Sequence, residues 1–332
     1  MKVERITTLE NLDNIGEKWN KFLFSSPQNC IFLTNEWFYS WWKCFSEDNS
    51  LEILIFKDED ENILGIAPFM SKERKLQFLA SHEVSDYCDF ITPEERINEF
   101  YENLLEYLKI NYSGIDKIKL INIKYSSPTL KVLPELGSTN KLDYKCSRTG
   151  VAPFLVLPSS YRDYLARLGK KNRHELRRKL KRIESLKGVK ILKITDTEEL
   201  QTYTDDFISL HKKSSPSKAE FWRKKGMTDF FRELIYRFSQ KRWIELNFLF
   251  YRDKIIAALL NFSFFDQIYF YNSTYDKEYA WYSPGLFLFN HCLKQAIHEG
   301  KREADFLRGE EKYKYNLGAK ESSLFQIILS LK

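Results

Sequence analysis

Between Asp305 and Lys314 the sequence DFLRGEEKYK gathers carboxylates (Asp305, Glu310, Glu311), a phenol (Tyr313) and cations (Arg308, Lys314). A carboxylate takes up a proton, a tyrosine at neutral pH gives one, and an arginine or lysine holds an anionic group. Together they have the makings of general acid–base chemistry, with Glu311 or Asp305 as the base, Tyr313 as the acid, and Lys314 or Arg308 facing negative charge. A plainer explanation stands beside it: Glu310 and Glu311 complement the positive end of a helix, and Arg308 pairs with Asp305. The histidines, at 82, 174, 211, 291 and 298, fall at no spacing that supports a His-centred nucleophile. His211 follows Phe207, Ile208 and Leu210 and reads as a packed or capping residue, with entry into the cleft as the alternative. Asp86 and Asp89, flanking Tyr87, read either as a polar loop or as a carboxylate pair at an acceptor site.

The elements that must position this cluster run from Tyr269 to Ala319 in the order strand, loop, helix, strand, loop, helix. Ser283-Pro284-Gly285 opens the first helix, with Ser283 as the expected cap and Pro284 at the first helical position, where its missing N–H costs nothing. Leu286, Phe289, Leu293, Ala296 and Ile297 form its apolar stripe, and Gly300 ends it. A helix entered after a strand offers backbone N–H groups and the positive end of its dipole to a diphosphate or carboxylate. Ser283, Gly285 and Leu286, with Arg308, are therefore the candidate cofactor-binding residues. Gly285 allows close backbone approach, and the helix start and the Asp305–Lys314 cluster are expected on one cleft.

With 332 residues the chain suits two domains, expected at 1–150 and 151–332 with a boundary segment at Lys141–Pro153. The 16% aromatic content suits cores and ligand clefts alike, and five scattered cysteines without Cys-x-x-Cys spacing point to a reducing compartment and no structural zinc. The expected location is cytoplasmic, since MKVERITTLENLDN lacks an apolar signal core and no apolar run is long enough to span a bilayer. Thr34 or Asn35 caps an aromatic helix, EWFYSWWKCF. LEILIFK and ILGIAPF form a hairpin with Pro68 near the second strand's end. Short strands are expected at 76–79 and 88–91, a helix at 95–110 and a strand at 117–123. WIELNFLF and IIAALLNFSFF repeat the hairpin, each second strand opening Ile-x-Gly/Ala, which predicts two copies of one α/β unit. Between them a basic amphipathic helix over 160–187 carries Arg162, Arg167, Lys170, Lys171, Arg173, Arg177, Arg178, Lys179, Lys181, Arg182 and Lys187 against Asp163, Glu175 and Glu184. Such a face favours an anionic neighbour: a cofactor phosphate, a nucleotide-linked acceptor, tRNA or a membrane surface.

YSPGLFL, Gly300, DFLRGEEKYKYNLGA, the pattern PFLVLPSSYRDYLARLGKKNRHELRRKLKRIE and the hairpin ending in Ile-Ala-Ala together resemble the CelD-type branch of the GNAT acyltransferase superfamily. The match is strongest over about 150–320, while TNEWFYSWWKCF, GIAPF and SDYCDF resemble the family's first half. The resemblance implies an α/β (α+β) fold of tandem GNAT-like units with mixed, mainly antiparallel sheets and flanking helices, related to Fem-type transferases. It implies acyl transfer from acyl-CoA (acetyl-CoA or longer), with no metal, to an amine or hydroxyl of a small-molecule or saccharide acceptor, in the context of polysaccharide biosynthesis. Glu311, Tyr313, Asp305 and Lys314 are then the catalytic set. The usual Gln/Arg-x-x-Gly-x-Gly/Ala donor loop is reduced here to Gly285 within Trp281–Leu286. Two other readings remain open: aminoacyl transfer from charged tRNA, and a non-catalytic fold that binds a polysaccharide-synthesis partner or a membrane surface through the basic helix.

Overall fold

The computed structural model describes residues 1–80, 84–139 and 142–330; His82 and Lys141 lie outside them. The chain forms two units that meet in sequence at Val151 and Ala152, and the tail from Ser322 belongs to the first.

The first unit contains β1 (Lys2–Ile6), α1 (Leu9–Asn14), α2 (Gly16–Phe24), α3 (Asn35–Phe45), β2 (Ser50–Lys57), β3 (Ile63–Lys72), β4 (Lys75–Phe78), α4 (Ile97–Asn111), β5 (Lys117–Lys124), α5 (Thr129–Thr139) and β6 (Tyr144–Val151). The second contains β7 (Phe154–Val156), α6 (Tyr161–Arg167), α7 (Lys170–Glu184), β8 (Val189–Ile194), α8 (Thr197–Ser214), α9 (Pro216–Arg223), α10 (Met227–Gln240), β9 (Ile244–Tyr251), β10 (Lys254–Phe264), β11 (Gln267–Tyr275), α11 (Pro284–His298), β12 (Glu303–Asp305) and α12 (Lys312–Asn316). The last strand, β13 (Ser323–Leu329), inserts between β5 and β6 of the first unit. Its inward residues Leu324, Ile327 and Leu329 are buried there, which is why the tail leaves the expected 151–332 domain.

The two sheets share one plan. Their orders are β1-β2-β3-β4-β5-β13-β6 and β7-β12-β11-β10-β9-β8. In each, antiparallel pairing surrounds a single parallel pair, β4 with β5 and β11 with β12. A helix, α4 or α11, connects the parallel strands, as a parallel crossover requires. The hairpins β2–β3 and β9–β10 occupy matching places, so the repeat expected from the sequence is present as topology.

Both cores follow from the aromatic composition. In the first unit Phe56, Phe69, Phe78, Phe90 and Phe100 are buried together between sheet and α4. Gly65 lets α4 close onto β3, because a Cβ there would overlap the Phe100 ring. In the second, Leu259, Phe270, Phe289, Leu293, Ala296 and Phe306 bury the apolar stripe of α11.

Several local expectations are corrected. Residues 88–91 form no strand: a single bridge, Ile66 to Ile91, fixes this extended segment. Pro68 lies inside β3 opposite Ile53, not near its end, and its carbonyl accepts from the Leu79 N–H. The basic helix is two helices, because Leu168 and Gly169 break the run between α6 and α7 in extended geometry. Thr34, rather than Asn35, caps α3 through its hydroxyl on the Trp37 N–H.

Candidate active site

The second unit's parallel strands part early. β12 pairs with β11 only at Gln267–Tyr269, whereas β11 continues to Tyr275. After β12 the chain turns away: Asp305 Oδ1 accepts from the Leu307 N–H at 2.8 Å, and Leu307 adopts a left-handed φ of 60°. A gap thus opens at the carboxyl ends of a parallel pair, the place where α/β sheets take ligands. α11 begins beside it.

Tyr313 reaches across this gap. Its hydroxyl is hydrogen-bonded to Ser273, on the part of β11 that continues beyond β12 and pairs with β10 alone. Its ring packs on Phe289 of α11 at 4.9 Å and on Phe306 at 6.4 Å between centroids. Burial, and secondarily the Glu311 carboxylate, push the phenol well above its ordinary pKa, so it is a proton donor at neutral pH.

Lys218 converges on the same residue from α9, its ammonium donating to the Ser273 carbonyl. Burial lowers its pKa to about 8. Thr274 Oγ1 donates to the Leu210 carbonyl at 3.3 Å, tying the end of α8 to the next residue of β11. His211 is buried and neutral: Nδ1 accepts from Trp222 Nε1 at 2.9 Å, and burial, aided by the charge of Lys218, lowers its pKa to about 3. It is the packed residue expected from the sequence.

The other sequence candidates are placed differently. Lys314 is buried, and its ammonium donates to the carbonyls of Leu307, Arg308 and Gly309 at 3.0, 2.8 and 3.3 Å and pairs with Glu311 at 2.9 Å. It therefore works as a strut for the 307–311 turn, with no donor left for a substrate anion. Glu311 occupies the N-cap position of α12 without a side-chain cap bond; it is exposed, and its carboxylate lies over Gly309, whose φ of +117° would strain any side chain. Asp305 is buried and holds the turn at Leu307. Arg308 is half-buried on the same turn, and Glu310 is exposed.

At the helix start, Pro284 occupies the first position as expected, but Ser283 makes no side-chain cap. Its backbone is left-handed (φ 56°, ψ 49°), which links the turn Lys277–Tyr282 to α11 and points the hydroxyl away from the capping geometry. The Phe287 N–H bonds to the Ser283 carbonyl. The backbone donors that a helix start leaves without intrahelical partners are then those of Gly285 and Leu286, both half-buried. Gly285 lies against Tyr275, whose ring would sit 3.4 Å from an added Cβ. Tyr275 and Ser273 are alternate residues of β11, so Gly285 and Tyr313 both meet the strand where it runs beyond β12.

The basic segment flanks this helix start. Arg182 lies 4.0 Å over the ring of Trp281, which is 68% exposed, and donates to its carbonyl. Arg173 bonds to the carbonyls ending α6, and Arg178 and Lys179 pair with Glu175. Arg162, Arg167, Lys170, Lys171, Lys181 and Lys187 are exposed and carry no ion pair among the described residues. No group of three or more metal-ligating side chains occurs among the described residues. Nor is any helix there long and apolar enough to cross a membrane.

Residues 170–315 match the family model described as an acetyltransferase (GNAT) domain. The chain carries an acyltransferase domain. Its fold is similar to that of a solved FemX structure (TM-score 0.64, 12% identity, 98% of this chain and 97% of that one). A tandem GNAT protein from the clavulanic acid biosynthesis pathway is also similar (0.55, 10%, 98% and 98%). So is L-PGS from Bacillus licheniformis (0.57, 13%, 95% and 91%). No curated protein matches the sequence.

Lys218 and Ser273 were missed by sequence reasoning. Ser215-Pro216 announces a helix start, and Ser215 does cap α9, but nothing in the sequence indicates that this helix delivers a lysine to a strand more than fifty residues later.

Proposed function

We propose that the second unit transfers an acyl group from a thioester donor held at the start of α11 to an amine or hydroxyl, with the Tyr313 phenol protonating the departing thiolate. The observation that carries this reading is the placement of Tyr313, a half-buried phenol bonded to Ser273 where β11 outruns β12. In the reaction the acceptor heteroatom bonds to the acyl carbon, the carbon–sulfur bond breaks, the phenol proton passes to sulfur, and the proton lost by the acceptor goes to the resulting tyrosinate and restores the phenol. The backbone N–H groups of Gly285 and Leu286 face the donor's phosphates. Lys218 holds the Ser273 backbone in place through its carbonyl. Asp305, Glu311 and Lys314 shape the turn that presents Tyr313, and Arg308 on that turn assists donor binding. Acyl-CoA is the donor class that an acetyltransferase (GNAT) domain favours; a saccharide acceptor, as in the CelD-type branch, is the finer expectation.

The test is single-turnover transfer from acetyl-CoA and longer acyl-CoAs to a panel of amines and amino sugars. Tyr313→Phe should lower turnover by roughly 10²-fold or more, the usual scale for a lost general acid, with donor affinity unchanged. Undiminished turnover in Tyr313→Phe contradicts the assignment, and absence of binding for every acyl-CoA contradicts the donor.

A second reading is favoured by the unpaired cations of α6 and α7 around the Arg182–Trp281 stack: the donor is an aminoacyl-tRNA, the cations following its phosphates. Retention of tRNA should then weaken with log salt by roughly 0.7–0.9 per phosphate contact. Salt-independent retention, or none, removes it.

A further inference from the structure

The first unit repeats the scaffold of the active site with opposite electrostatics. Its parallel pair, β4 and β5, is joined through α4, and the chain beyond β5 turns into α5, as β12 leads to α12 in the second unit. At this matching place lies an open cleft of about 930 Å³, lined by the start of α4, the segment Tyr125–Pro128, the first half of α5, and Phe325 of β13. The size is that of a small-molecule site.

The lining is specific in character. Glu94, Glu95 and Glu135 present exposed carboxylates that carry no ion pair among the described residues, and Lys131 is the one cation of the lining. Tyr125, 70% exposed, stands beside Phe325 at 6.2 Å between centroids and forms an aromatic wall. Ile97, Leu130 and Val132 supply apolar surface. The buried floor is rigid: Ser127 bonds to the Asp89 carboxyl, which also accepts from the Thr129 hydroxyl and the Phe90 N–H, and Tyr101 is bonded to Thr129 at 2.6 Å.

Carboxylates without an ion-pair partner, beside an aromatic face and an apolar wall, match a cation on a hydrocarbon stem. The carboxylates attract an ammonium, the ring faces add a cation–π contribution, and the stem displaces water from the apolar wall. An anion meets repulsion from three carboxylates. We propose that this cleft of the first unit binds an alkylammonium ligand, a protonated amine carried on an apolar chain. The proposal is independent of the reading of the second unit, because no residue is shared between the two sites.

The probe is pentylamine, titrated calorimetrically into the full chain at low ionic strength, with pentanoate as its sign-reversed counterpart. Saturable binding of pentylamine is expected, weakened at least tenfold by the double substitution Glu94→Gln, Glu95→Gln and by Tyr125→Ala, with pentanoate not bound. All three side chains are exposed, so unchanged thermal melting of the variants is expected and checks the fold. Acetyl-CoA affinity should be the same in wild type and the double variant. Absence of pentylamine binding, equal affinity in the variants, or equal binding of pentanoate would each overturn the proposal.

Discussion

The helices α4 and α11 occupy the same place in two copies of one sheet plan, yet their starts have opposite chemistry. α4 is preceded by Glu94 and Glu95 and carries Glu99 in its first turn, whereas α11 opens with Pro284, Gly285, Leu286 and Phe287 and has no acid there. Acidic side chains cancel the positive end of a helix dipole; their absence leaves it available to an anion. The ends of the parallel pairs differ as well. Tyr313 spans the gap in the second unit, while the first keeps an open cleft beside Ser127. On the two proposals made above, repetition of the scaffold does not repeat the ligand: a few side chains at the strand ends would decide whether the same backbone favours an anion or a cation.

The sharpest way to separate the units is by pH. His211 titrates at 6.5 when unfolded and at about 3 when folded, so between these values the unfolded chain holds the extra proton. The second unit then loses stability as pH falls through that window, by on the order of a few kcal/mol. Asp89 does the reverse. Burial raises it from 3.8 to about 6, against the lowering effect of its hydrogen bonds, so the folded chain holds the proton between those values. The first unit loses stability as pH rises through them, by a smaller amount. Urea midpoints at pH 4.5 and 7 should show that His211→Gln removes an acid-side loss and Asp89→Asn an acid-side gain. Matching slopes in the two variants would break the contrast.

Gly309→Ala comes next. The left-handed φ strains any side chain, and the Glu311 carboxylate must swing away from a methyl group, so a loss of about 1–3 kcal/mol is expected in denaturant melts. Because the turn carries Tyr313, turnover should fall with it; full activity would show that the turn does not position the phenol.

Much of this was legible in the sequence because it depends on local pattern. The Ser-Pro-Gly start, Gly300 and the apolar stripe fixed α11, and the paired hairpins with Gly65 and Ala257 at matching places announced two units. What escaped depends on long-range contact. The return of β13 to the first sheet, the route of Lys218 to Ser273, and the capture of the Lys314 ammonium by three carbonyls leave no mark on local sequence. Ser283 misled for the opposite reason. Its residue type suits a cap, but the turn before it forces a left-handed backbone.

The smallest expected effect tests the central claim most directly, that the donor lies at the start of α11. A side chain at Gly285 meets only ordinary contact with Tyr275, so Gly285→Val should fold as wild type while intruding on the helix start. Calorimetric titration with acetyl-CoA should show affinity reduced about tenfold, or about 1.4 kcal/mol, in Gly285→Val and unchanged in the Glu94→Gln, Glu95→Gln variant. Equal affinity in wild type and Gly285→Val, or loss in the first-unit variant instead, would contradict the account.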